Sequence, residues 1–364
     1  MSNKLDAVVN VNISIASPTD ISENLDSILI LGLPPATEPP DPLPDVGVYT
    51  DLAGVIKAGY KADGLDADPV GIAARIAFAQ NPKPDRIFIA ALKETASLVL
   101  ESPIDALNRA METPGWYVIC PAGIEDMSYW QIAEWTEEQE KMFAYTFLST
   151  TDLLSDIYYR SQSWCGLEYE EQNPGDVPES NSYLHVAVAA ALMAYQPGRA
   201  SWAFKELKQI QPSKFSAETI KNMQEAHNNF YMHFGGKDVT MNAQVRAGEW
   251  IDIIHGRDWI QNDMQLRIFN LLRKTDKLPY NNNGIALIEA QMIATLKEAQ
   301  TRNIVAADVF DDDDEVIPGF TTSVPNALNI SDVQKASRVL TDCKFSARLA
   351  GAIHAAEIKG GLTY

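Results

Sequence analysis

The sequence predicts an α/β fold: a mixed, mostly parallel sheet with flanking helices, joined to a C-terminal α+β part and ending in strand-forming segments at both termini. Three observations predict it. Short, continuously apolar runs such as 28–31 and 87–91 suit strands covered on both faces. Helical stretches alternate with them, the pattern of a sheet layered by helices. Beyond about residue 216 the texture changes to two long helical segments and a β-like close.

Near the start, Val9, Val11, Ile13 and Ile15 alternate with Asn10, Asn12 and Ser14, the period-two signature of a strand with one buried face. Ser17-Pro18-Thr19-Asp20 ends it. Residues 28–32 read as an interior strand. Six prolines between residues 33 and 46 forbid regular structure and predict an extended surface loop. An alanine-rich helix over 70–80 then leads through Asn81-Pro82-Lys83-Pro84-Asp85 into a strand over 86–91. A second helix, 103–111, leads through Thr113-Pro114-Gly115 into a strand over 116–120.

A helix is predicted over about 128–145, its end overlapped by a strand over 143–148. After a polar loop, 168–181, the Ala, Val and Leu of 183–195 make a helix buried between others, stopped at Gln196-Pro197-Gly198. Ser216 is the N-cap of a new helix, and Pro212-Ser213 marks a domain boundary. A strand over 237–246, a turn at His255-Gly256, and long helices over 258–274 and 284–302 follow. Asp311, Asp312, Asp313, Asp314 and Glu315 form a solvated loop tip, and 344–364 is β-like, broken by Gly360-Gly361. The implied division is 1–20, 21–215, 216–345 and 346–364.

Composition excludes several function classes. A formal charge of -20 opposes general nucleic-acid binding, which needs clustered Lys and Arg. No apolar run reaches the roughly 18 residues of a membrane span, and the N-terminus lacks a signal-peptide layout, so the expected setting is a cytoplasm. Cys120, Cys165 and Cys343 are too few and too scattered for a disulfide framework or zinc site and are expected to be reduced and mostly buried. The common phosphate-loop, dinucleotide, zinc-protease and nucleophile-elbow motifs are absent. His227 and His233 are six apart, not on one helical face as metal ligands would be. The run 311–315 lacks the glycine and distal glutamate of a calcium loop. No catalytic, cofactor-binding or metal residue is assigned, and no cofactor is expected. A cytosolic α/β hydrolase with an unrecognised site remains the alternative.

Four segments carry a resemblance. They are Gly248-Glu249-Trp250-Ile251-Asp252-Ile253-Ile254-His255-Gly256-Arg257-Asp258-Trp259-Ile260, Leu278-Pro279-Tyr280-Asn281-Asn282-Asn283-Gly284-Ile285, Ala347-Arg348-Leu349-Ala350-Gly351-Ala352-Ile353-His354, and Asp85-Arg86-Ile87-Phe88-Ile89 after its helix. In order and spacing, the chain resembles the contractile tail sheath proteins of bacteriophages and phage-tail-like particles such as bacteriocins.

The resemblance implies a structural, non-enzymatic subunit of stacked rings around a rigid tube, assembled in an extended metastable state and contracting to drive the tube through a bacterial envelope. It implies a particle assembled in a host cytoplasm, with the sheath itself, the inner tube, baseplate and tail terminator proteins as partners and no insertion into a membrane. A related tube or baseplate component is the nearest alternative. An outer domain with subtilisin-like architecture but no activity and a C-terminal sheath core domain are implied, with terminal arms that add strands to neighbouring subunits. The arm positions are Val9, Val11, Ile13 and Ile15 at one end and Ile353, Ala355, Ile358 and Leu362 at the other. Lys297 and Arg302, or Arg273 and Lys274, become candidates for docking an acidic tube.

Overall fold

In the computed structural model, residues 25–95, 99–150, 154 and 157–355 are described. The expected N-terminal arm lies outside them, as do Ile358 and Leu362. An eight-stranded sheet organises the chain, in the order β2-β3-β1-β4-β5-β6-β7-β8. Strand β1 (Ile28–Gly32) is buried along its whole length, as its unbroken apolar run requires. Ile28 and Ile30 face one core and Leu29 and Leu31 the other, because successive side chains of a strand point to opposite faces. The proline-rich loop follows and ends in the edge strand β2 (Gly47–Tyr49) and helix α1 (Leu52–Lys57), whose N-cap Asp51 accepts from the Gly54 N–H at 2.8 Å.

Helix α2 (Pro69–Phe78) begins with proline at its first position and presents Val70, Ile72, Ala73 and Ile76 to the first core. Strand β3 (Ile87–Ala91) pairs parallel with β1. Helix α3 (Pro103–Ala110), capped by Ser102, covers the opposite face. Strand β4 (Val118–Ala122) starts two residues later than expected: Tyr117 instead sends its N–H to Ser27 O and its side chain into the first core. Helix α4 spans Tyr129–Glu137, so the long helix expected over 128–145 is wrong in its second half. Residues 142–147 alternate between the two cores, Met142 and Ala144 against Phe143, Tyr145 and Phe147, and this period of two fixes them as strand β5 (Met142–Phe147).

Strand β6 (Ser161–Cys165) has no apolar signature, yet every residue in it is buried. Several of its polar side chains find partners in the fold: the Ser163 hydroxyl donates to Asn228 Oδ1 at 2.9 Å and Trp164 Nε1 to Gln162 Oε1 at 2.9 Å, while Ser161 Oγ is buried without one among the described residues. Helix α5 (Leu184–Met193) is buried on all sides, as its composition predicts. Helix α6 (Ala217–Glu225) is capped by Ser216. Strands β7 (Asn229–Phe234) and β8 (Lys237–Met241) then close the sheet, which therefore runs on through the boundary expected at 215/216. The strand expected over 237–246 stops at Met241, where Asn242 and Ala243 take left-handed backbone angles, φ +74° and +68°.

Helix α7 (Ile251–Lys274) begins seven residues earlier than expected and contains His255 and Gly256, so the turn assigned there is corrected to helix. Gly256 serves a close approach: a Cβ would sit 2.8 Å from Ile304 Cγ2. Helix α8 (Asn282–Thr301) returns beside α7. The rest is small elements: β9 (Val309–Phe310) and β10 (Val316–Ile317) flank the acidic tip, and β11 (Phe320–Ser323) and β12 (Lys344–Ala347) pair antiparallel around helix α9 (Asp332–Ser337). The β-like passage expected from 344 is a strand only to Ala347; Leu349 makes one bridge to Val305, and residues 350–355 form no strand.

Candidate assembly surfaces and the polar junction

A buried polar junction binds α7 to the sheet. Asp258, 3% exposed in its side chain, accepts from Tyr117 Oη at 2.7 Å and from both terminal nitrogens of Arg160, at 2.6 and 3.2 Å. Arg257 donates to the same carboxylate from its own helix. One turn earlier His255 stacks on Tyr117, centroids 5.0 Å apart, and donates Nε2–H to Leu25 O at 2.7 Å. Burial pushes the His255 imidazole down to about 4, so it stays neutral. Burial likewise raises the Tyr117 hydroxyl well above its ordinary value, keeping it a donor to Asp258. The junction holds the sheet and the C-terminal helices as one packed body.

Thr146 and His185 form a nucleophile-and-base-like pair that the sequence does not announce. Thr146 Oγ1 lies 2.8 Å from His185 Nδ1, and His185 Nε2 donates to Pro121 O at 3.0 Å. Thr146 on β5 and His185 in the first turn of α5 are both buried, and burial holds the imidazole down at about 4. At the carboxyl ends of β1 and β4, where open α/β sheets commonly seat ligands, the start of α2 fills the space. A Cβ on Gly32 would collide with Val70, and one on Gly123 would lie 2.8 Å from Pro69. Among the described residues no group of three His, Cys, Asp or Glu is placed to hold a metal, and no helix is long and apolar enough to cross a membrane. Cys120 and Cys165 are buried and Cys343 is half-buried.

The two docking candidates differ in environment. Arg302 is mostly buried: its guanidinium sits 4.3 Å from the Trp259 ring centroid and its Nε donates to Glu298 at 3.0 Å. It lines a polar cavity of about 600 Å³ with Arg86, Asp263 and Arg267. Lys297 is exposed, as are Arg273 and Lys274 at the end of α7. An antiparallel return puts the two groups toward opposite ends of the helix pair, and α7, at 24 residues, is about 36 Å long. They do not form one patch.

The C-terminal part also presents a two-stranded pair and exposed apolar side chains. Each of β11 and β12 has one strand neighbour among the described residues, and the continuation of β12 bridges Val305 through Leu349. Val309, Phe310, Val316 and Ile317 on the β9–β10 hairpin are exposed, and so are Phe345, Leu349 and Ile353. Of the arm positions, Ile353 and Ala355 are described, exposed and outside any strand.

With this geometry, the class of fold is that of sheath proteins from contractile particles. A chain in the cryo-EM structure of the anti-feeding prophage (AFP) baseplate, 6-fold symmetrised, superposes with a TM-score of 0.70 at 12% identity, covering 96% of this chain and 97% of that one. A chain of the PVC sheath complex in its contracted state, an extracellular contractile injection system, gives 0.63 at 10% identity, covering 95% and 98%. The sheath tail protein of Desulfitobacterium hafniense gives 0.53 at 10%, covering 85% and 93%. More particularly, residues 251–361 match the family described as E217 tail sheath protein gp31-like, C-terminal domain. The match opens at the first residue of α7. No curated protein matches the chain by sequence. The resemblance to contractile tail sheath proteins is thus found both in the C-terminal family match and in the fold of the whole chain.

Proposed function

We propose that the chain is the structural subunit of a contractile tail sheath, polymerising as helically stacked rings around an inner tube and contracting to drive that tube through a bacterial envelope. The observation that carries this reading is the tail-sheath C-terminal match over 251–361, set on a body whose fold is that of sheath chains along nearly its whole length. The two-stranded pair β11–β12 is a site where strand addition could extend a sheet, backbone bonds giving affinity and alternating side chains setting register. The exposed apolar hairpin β9–β10 suits burial against a neighbouring copy. Arms containing Val9 to Ile15 and Ile353 onward then pair in other copies.

The inner tube is the second partner, contacted through exposed cations of the helix pair, with baseplate and terminator proteins at the ends of the particle. The proposed division is the one expected from the sequence, an outer α/β domain over 21–215, for which the subtilisin-like comparison is kept as architecture without activity, and a sheath core domain over 216–345. Fuel binding is not part of the proposal, in which the free energy of contraction is stored in the lattice. Negative-stain imaging of the purified chain tests the reading. Straight hollow cylinders are expected, whereas dispersed monomers with hydrolytic turnover would overturn it.

A further inference from the structure

Arg348, just after β12, is bonded through its backbone to Gly319 and Ala306, and past it the chain is tied to the body at two places among the described residues. The first is backbone: Leu349 bridges Val305, and the Ala350 N–H donates to Ile304 O at 3.0 Å. Gly351, at φ +66°, then turns the chain. The second is a single side chain. His354 meets Trp250 edge-on, ring centroids 4.5 Å apart at 87°, and meets Phe204 in the same manner at 5.6 Å and 90°. Its neighbours Ala352, Ile353 and Ala355 are exposed.

The seat has two unusual features. Phe204 holds a left-handed backbone, φ +61°, fixed by its N–H donating to Thr240 O at 2.7 Å, a conformation disfavoured for a bulky residue. The strain places a half-exposed aromatic ring where His354 meets it. The other feature is that His354 Nε2 is buried without a hydrogen-bond partner among the described residues. A hydrocarbon ring would fill the same seat without burying an unmatched nitrogen, so histidine makes the hold weaker than the seat allows.

We propose that His354 is a releasable clasp that holds the start of the C-terminal arm on its own body, so that letting go of Trp250 and Phe204 frees the segment from Ile353 onward to pair in another copy. The proposal rests on the arm-exchange reading. Ring packing holds the segment in place, and the unmatched nitrogen keeps that hold weak enough to yield.

Hydrogen exchange followed by mass spectrometry on the full-length dispersed chain tests the clasp. Exchange in the peptide covering 348–355, which contains the Ala350 amide, is expected to rise about tenfold or more in His354→Ala. Phe204→Gly is expected to do the same, although glycine relieves the backbone strain and so preserves the fold. His354→Phe is expected to exchange as slowly as the parent chain or more slowly. Unchanged exchange in His354→Ala and Phe204→Gly, or His354→Phe as fast as His354→Ala, would overturn the clasp. Failure of the arm reading shows separately, as normal cylinder assembly by a chain lacking 353–364.

Discussion

Asp258 is the residue on which the union of sheet and helices turns. Its carboxylate is buried, so its pairing with Arg160 and Tyr117 compensates a desolvation that neither partner meets alone. Asp258→Ala leaves the Arg160 guanidinium buried and uncompensated, and is expected to cost about 3–5 kcal/mol in urea unfolding. His185 and His255 make a second prediction. Each takes up a proton near 6.5 when unfolded but only near 4 in the fold, so between those values the unfolded chain binds more protons. Stability should therefore fall as pH drops from 6.5 to 4, by up to roughly 3 kcal/mol for each histidine. Unfolding curves across that window check the sign, and His255→Gln should flatten part of the slope.

Among the elements, the helix pair separates structural from docking cations. Arg302 packs on Trp259 and pairs with Glu298, so Arg302→Glu is expected to destabilise the body by about 1–2 kcal/mol in thermal or urea unfolding. Arg273→Glu with Lys274→Glu, both exposed, should leave unfolding unchanged and weaken co-sedimentation with tube protein; unchanged co-sedimentation would reject that end of α7 as the contact. Elements with strong internal signals were legible in the sequence. The unbroken apolar run of β1, the Ala-Val-Leu helix α5 and the Ser216 cap each carry their own physical signature. Strand β6 was not legible, because Ser161, Gln162 and Ser163 are polar and are buried only through partners distant in sequence, Asn228 among them. The early start of α7 was hidden by Gly256, which suggests a turn until Ile304 is seen packed against it. The candidate cations were readable as charges, but Arg302's burial depends on a tertiary stack with Trp259.

At the scale of the whole molecule, the described residues pack the C-terminal helices against the eight-stranded sheet through a polar junction. The junction around Asp258 keeps the sheet and the C-terminal helices together, and on the proposed reading movement between subunits falls to the chain ends that link them. Such links keep a lattice connected while bodies shift, provided each strand addition contributes its backbone bonds at a net 0.5–1.5 kcal/mol or so apiece. The proposal that those ends are exchanged arms rests on resemblance rather than on alternation alone, since a strand of period two pairs equally well within its own chain.

The most direct test compares cylinder formation by the full chain with that of chains lacking residues 1–16 or 353–364, by negative-stain imaging at matched concentration. The expected result is hollow cylinders from the full chain and folded, dispersed monomers from both truncations. Cylinders formed equally well by either truncated chain would contradict strand exchange through that end.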